Sequence, residues 1–123
     1  MNQNMQPLFA IAQKQRRSII GLMSGTSVDG LDIALCTITG HGHTTNVQIS
    51  AFETILYNPD FKAEIKSVFS KKEVDLEKLC LLNPWVALQQ AAMINEFLQQ
   101  RNIAKEEVDL IASHGQTIYH APG

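Results

Sequence analysis

The sequence has only two cysteines, Cys36 and Cys80, in 123 residues, and no C-x-x-C pair. That pattern does not build a disulfide-stapled scaffold, nor a cysteine-based zinc or redox centre. Both cysteines lie in apolar surroundings, so two buried free thiols in a reducing compartment are expected. Charge of one sign is also lacking: 10 Lys and Arg stand against 12 Asp and Glu, for a formal net charge of −2. A nucleic-acid or anionic-membrane binder needs a basic excess that is missing here. No apolar run approaches the roughly 20 residues that cross a bilayer. Residues 1–17 do not have the order of a secretory signal. Their apolar piece, Leu8 to Ala12, is short, and Lys14, Arg16 and Arg17 follow it instead of preceding it. Residues 1–16 are therefore read as a mobile N-terminal extension, and a cytoplasmic location follows. The four histidines do not fall at zinc-motif spacings.

What is present suits one small globular domain, with 45% apolar and 18% charged residues. The informative stretch is Ile19 to Ile38, IIGLMSGTSVDGLDIALCTI. Two apolar runs, Ile19–Met23 and Leu31–Cys36, read as strands joined by a short polar link, which predicts a β-hairpin. The link, Ser24-Gly25-Thr26-Ser27-Val28-Asp29-Gly30, suits a phosphate. Gly25 and Gly30 permit positive φ and close backbone approach. Successive N–H groups can form an anion nest, and Ser24, Thr26 and Ser27 add hydroxyl donors. Asp29, and Asp32 just beyond, could hold Mg²⁺ directly or through water. An ordinary hairpin with Asp29-Gly30 as turn chemistry stays open on composition alone. The loop is no Walker P-loop, because no Gly-Lys-Ser/Thr follows it.

A polar, glycine-containing turn over 39–46 leads to a third strand, Val47 to Leu56, with Val47, Ile49, Ala51 and Phe52 as its inward candidates. Three consecutive strands suit an antiparallel meander. Asn58-Pro59 is a cap-then-proline helix start, with Phe61, Ile65, Val68 and Phe69 on one face. Asp75 caps a second helix through Leu82. Asn83-Pro84 predicts a break or kink, and a longer helix to about Arg101 carries an Ala87, Ala91, Ile94 and Leu98 stripe. Trp85 and Met93 read as core. Val108–Ser113 reads as a buried strand parallel to an earlier one, with His114-Gly115-Gln116 past its carboxyl end, where ligands of open α/β sheets bind.

Two motifs carry a resemblance. Gly21-Leu22-Met23-Ser24-Gly25-Thr26-Ser27-Val28-Asp29-Gly30-Leu31-Asp32 resembles the N-terminal signature of the anhydro-N-acetylmuramic acid kinases, of the sugar-kinase, Hsp70 and actin superfamily. Ser113-His114-Gly115-Gln116-Thr117 resembles that family's Ser-His-Gly-Gln-Thr segment. The resemblance implies an α/β, RNase H-like (actin-like ATPase) fold, with residues 17–123 the N-terminal part of an incomplete first lobe. It implies ATP and Mg²⁺ as cofactors and 1,6-anhydro-N-acetylmuramic acid as substrate. Water opens the anhydro ring as the γ-phosphate is transferred, giving N-acetylmuramic acid 6-phosphate in peptidoglycan recycling. It assigns Gly25, Thr26, Ser27, Val28, Asp29, Gly30, Leu31 and Asp32 to ATP phosphate binding, with Asp29 on Mg²⁺. His114, Gln116 and Thr117 go to the sugar, positioning it rather than abstracting its proton. Neither nucleic acid nor membrane is implied as a partner, and a homodimer stays open for the full-length protein.

The departures matter. Trp85-Val86-Ala87-Leu88 stands where the family has a Leu-Gly. The family's general-base aspartate belongs to a later Asp-Thr-Gly-Pro-Gly-Asn segment and is expected beyond Gly123, so no catalytic base is assigned within these residues. The chain is accordingly expected to be an N-terminal fragment, not competent alone. Two other readings stay open: a truncated homologue that binds nucleotide or a partner without catalysis, and a superfamily kinase for another sugar.

Overall fold

The computed structural model describes residues 3–121. The expected hairpin forms the centre of the sheet. β1 (Arg16–Ser24) pairs antiparallel with β2 (Gly30–Thr39), in a register running from Arg16 opposite Thr39 to Met23 opposite Asp32. β3 (Asn46–Leu56) pairs antiparallel with β2, and β4 (Leu110–Gln116) pairs parallel with β1, giving the order β3-β2-β1-β4. The meander and the later parallel strand are therefore both present, but the strand expected to be buried is exposed from Leu110 to Gly115, because β4 is an edge of the sheet, and His114-Gly115-Gln116 are its last three residues rather than lying past its end. Parallel pairing needs a crossover, which α2 (Pro59–Lys66) and α3 (Leu76–Gln100) supply. An additional helix, α1 (Met5–Gln13), occupies most of the stretch read as an extension, and it buries no residue.

The core lies between one face of the sheet and α2–α3. Ile20 of β1 and Leu31, Ile33 and Leu35 of β2 meet Phe61 and Ile65 of α2, and Val86, Ile94, Phe97 and Leu98 of α3. Asn58 caps α2 as expected: its side-chain oxygen accepts from the Phe61 N–H at 2.8 Å, ahead of Pro59. Asp75 caps α3 through the Lys78 N–H at 3.2 Å.

Four further expectations are corrected. In β3 the pairing shifts between Leu35–Ala51 and Cys36–Ile49, so Ser50 is an extra residue. The side-chain period is two, so this bulge reverses the faces beyond it. Val47 and Ile49 are exposed, as is Phe52 on the outer side of the alternation; Ala51, Glu53 and Ile55 turn inward. Second, α3 runs unbroken through Pro84. Leu82 and Val86 are buried on either side of it, and that packing offsets the missing N–H. Third, the stripe of α3 is Leu82, Val86, Gln90, Ile94, Phe97 and Leu98, whereas Ala87 and Ala91 are exposed. Fourth, both thiols are free, but Cys36 is half-buried on the outer sheet face and Cys80 is exposed.

Candidate phosphate-binding site

The loop between β1 and β2 and the end of β4 stand side by side at one end of the sheet. They are tied by backbone and side chains together. The Thr117 N–H donates to the Ser24 carbonyl at 3.2 Å. The Gln116 carboxamide donates to the Gly25 carbonyl at 3.2 Å and to the Thr117 carbonyl at 2.7 Å, and its oxygen accepts from the Ser24 hydroxyl. The two sequence motifs thus form one unit.

Within it, the roles divide by burial. Thr26, Ser27 and Asp29 are exposed. Among the described residues, no backbone N–H of residues 25–29 donates to a protein acceptor, and the Asp29 carboxylate has no ion pair or hydrogen bond. Free N–H groups, two hydroxyls and room for close approach are what an incoming phosphate uses. Ser24 is different. It is 1% exposed, so its hydroxyl serves the interior rather than a ligand. Val28 and Leu31 are also buried, at 2% and 0%, and can offer a phosphate only their backbone. Asp32 lies on the outer face and accepts from the Thr54 hydroxyl at 2.6 Å.

The backbone solves the turn in an unexpected way. Neither Gly25 nor Gly30 has positive φ; the left-handed residue is Val28, at φ 53°. A β-branched residue there costs of order 1–2 kcal/mol, and burial of its side chain holds it in place. Gly30 is needed for another reason, because a Cβ would lie 2.6 Å from the Ile55 carbonyl oxygen.

His114 and Gln116 are separated. The β1–β4 register slips by one residue between Leu22 and Ser24, and Gly115 takes φ 79°. This bulge turns Gln116 inward under the loop and leaves His114 exposed on the outer face. The structure brings Gln116 and Thr117 to the loop and His114 to the opposite side of the strand.

Tyr57 and Gln90 were not singled out from the sequence. The Tyr57 hydroxyl is 2.5 Å from the Ser24 hydroxyl, and Gln90 Nε2 donates to it at 3.2 Å. Since the Ser24 proton goes to Gln116, the Tyr57 O–H must donate to Ser24. The chain is then Gln90 to Tyr57 to Ser24 to Gln116. Burial pushes the Tyr57 phenol above its ordinary range; the hydrogen bonds to Ser24 and Gln90 pull the other way, and the charge of Asp32 adds to the rise. A signal for Gln90 was available: it sits four residues from both Val86 and Ile94, a polar residue on an apolar stripe.

Two of the cavities beside the helices bear on the site. One of about 350 Å³ runs between α2, α3 and the end of β4, lined in part by Val86, Gln90, Ser113 and Gln116. A larger, open depression of about 560 Å³ is lined by Asp60, Glu64, Asp75 and Glu77. Its acidic lining repels an anion, so it does not compete with the loop as a phosphate site. Among the described residues, no group of three or more His, Cys, Asp or Glu could hold a metal ion, and no helix is long and apolar enough to cross a membrane.

Comparison with known proteins agrees with the motifs. The family model described as Anhydro-N-acetylmuramic acid kinase matches residues 17–123. An anhydro-N-acetylmuramic acid kinase of Pseudoalteromonas atlantica is 53% identical over 99% of this chain and 30% of its own length. That of Pseudoalteromonas translucida is 48% identical over 99% of this chain and 30% of its own length. One from Bacillus cereus is 42% identical over 85% of this chain and 27% of its own length. The chain thus spans less than a third of the length of the curated relatives it matches. Its mixed sheet and helices are compatible with the N-terminal lobe of an actin-like ATPase, the α/β fold that this family implies. With the family model covering everything from Arg17 onward, the chain belongs to the anhydro-N-acetylmuramic acid kinase family.

Proposed function

We propose that the protein carrying this chain is a cytoplasmic, ATP- and Mg²⁺-dependent kinase of 1,6-anhydro-N-acetylmuramic acid, with this chain supplying the first phosphate-binding loop. The observation that carries the reading is the loop 25–29, in which Thr26, Ser27 and Asp29 are exposed and no backbone N–H donates to an acceptor among the described residues, in a chain of this family. The reading keeps Gly25 to Asp32 as the phosphate segment, with N–H groups and the Thr26 and Ser27 hydroxyls on phosphate oxygens. Asp29 fits Mg²⁺, an ion usually held by one or two carboxylates, phosphate and water. The ion neutralises phosphate charge during transfer. His114 and Thr117 remain the sugar contacts in this reading. Gln116 acts mainly on the loop, because both its amide hydrogens are taken by backbone carbonyls. The general base is assigned to a later aspartate outside these residues. These residues therefore bind and orient, which is the larger part of phosphoryl-transfer catalysis.

The test is ATP-dependent phosphorylation of 1,6-anhydro-N-acetylmuramic acid by the complete gene product, beside a panel of other sugars. Turnover restricted to the anhydro sugar, and its loss in Asp29→Ala, is the expected result. Turnover of another sugar alone, or none by a folded protein, would sink the reading.

A further inference from the structure

We infer that Tyr57 is a positioning residue for the phosphate loop, gripping it at both ends. Its backbone N–H donates to the Asp29 carbonyl at 3.0 Å, at the end of the loop. Its side-chain hydroxyl meets the Ser24 hydroxyl at 2.5 Å, at the start. One residue therefore fixes the separation of the two points between which residues 25–28 must arch. The inference rests on the kinase reading for its catalytic consequence, though not for the clamp itself.

The residue is well held for such a task. It is 5% exposed, and its ring stacks on Phe61 with centroids 3.9 Å apart and planes 19° from parallel. Phe61 in turn stacks on Trp85 at 5.4 Å. Gln90, from α3, donates to the Tyr57 hydroxyl and so orients its proton toward Ser24. The Ser24 hydroxyl donates in turn to the Gln116 amide oxygen, and the Gln116 amide N–H donates to the Gly25 carbonyl. The loop is thus referenced to the end of β3, to α3 and to β4 at once through a largely buried chain of hydrogen bonds. Such a chain is rigid because each member has a single satisfying orientation. Rigidity matters at this point, since catalysis by positioning loses much of its effect when the phosphate cradle moves by an ångström.

Tyr57→Phe tests the clamp, because it keeps the ring and its stacking and removes only the hydroxyl. In the complete protein, kcat is expected to fall about tenfold, the loss of one hydrogen bond's worth of positioning, with KM for the sugar unchanged. The Thr117 amide, which bonds to the Ser24 carbonyl, should exchange with solvent about tenfold faster, while amides in the middle of β2 keep their protection. Tyr57→Leu, which also removes the stacking, should lower kcat further and cost thermal stability. A fall in melting temperature in Tyr57→Phe, with kcat and Thr117 exchange both unchanged, would show a merely structural hydroxyl and overturn the inference. If the wild-type protein turns over no anhydro sugar, the kinase reading fails. Thr117 exchange then decides the clamp by itself: faster in Tyr57→Phe upholds it, unchanged refutes it.

Discussion

A Cβ added at Gly30 would stand 2.6 Å from the carbonyl oxygen of Ile55 and 3.2 Å from its carbonyl carbon. The contact is backbone on one side, so it cannot be relieved by a rotamer change. Gly30 begins β2 and Ile55 lies near the end of β3, opposite Leu31. Gly30→Ala should therefore prise the two strands apart just where the loop between β1 and β2 ends. A loss of about 1–3 kcal/mol is expected, the range for forced overpacking. Urea unfolding of the two proteins gives the number. Gly25→Ala is the control: its Cβ would meet only the end of Met23, at 4.0 Å, and its stability should change by less than about 0.5 kcal/mol.

Val28 supplies a test of sign. At most positions Ala is more stable than Gly by about 0.5–1 kcal/mol, through the entropy of the unfolded chain. At φ 53° that preference should vanish or reverse, because the left-handed region penalises any Cβ by about 1–2 kcal/mol. Val28→Gly is thus expected to be at least as stable as Val28→Ala. Both should be less stable than the native protein, since a side chain that is 98% buried is worth about 1.5–3 kcal/mol. Chemical denaturation of the pair reads the order directly. A clear advantage for Val28→Ala would show that the turn relaxes out of the left-handed region.

Much of this was legible because it rests on local chemistry. The Asn58-Pro59 and Asp75 helix starts are satisfied within three residues of sequence, so their residue types announce them. The hairpin and the parallel strand were legible from apolar runs and a polar link. What escaped depends on distant pairing. The bulge at Ser50 is an accident of register with β2, and without it the alternation placed Val47 and Ile49 on the same face as inward Ala51. The continuity of α3 through Pro84 depends on packing that propensity does not contain. At the site, the types of residue in the loop were legible, but not the division of labour among them. Nothing local distinguishes exposed Ser27 from buried Ser24, whose partners are 33 and 92 residues away. The glycines promised a left-handed turn that Val28 makes instead.

Asp109 gives a pH prediction for the opposite end of the sheet. Its carboxylate accepts from Lys14, just past α1, and from the Ser18 N–H at 2.8 Å. Its own N–H returns to the Ser18 carbonyl at 2.8 Å. The Lys14 hydrogen bond, with that of Ser18, holds the Asp109 carboxyl below the ordinary carboxylate range. A carboxyl lowered on folding stabilises above its unfolded value of about 4, and the contribution is lost as pH falls through the folded value. As pH falls below about 4, the link between α1 and β1 should therefore loosen, seen as faster proteolysis by an acid protease around Gln15. Lys14→Ala should raise that rate already at pH 5, and only slightly, because Lys14 is half exposed and screened. Asp109→Ala should cost about 1–3 kcal/mol at neutral pH, because it leaves the Ser18 N–H without its acceptor. If Asp109→Ala behaves no worse than Lys14→Ala, the carboxylate serves only the lysine, and the start of β4 is held by its backbone pairing alone.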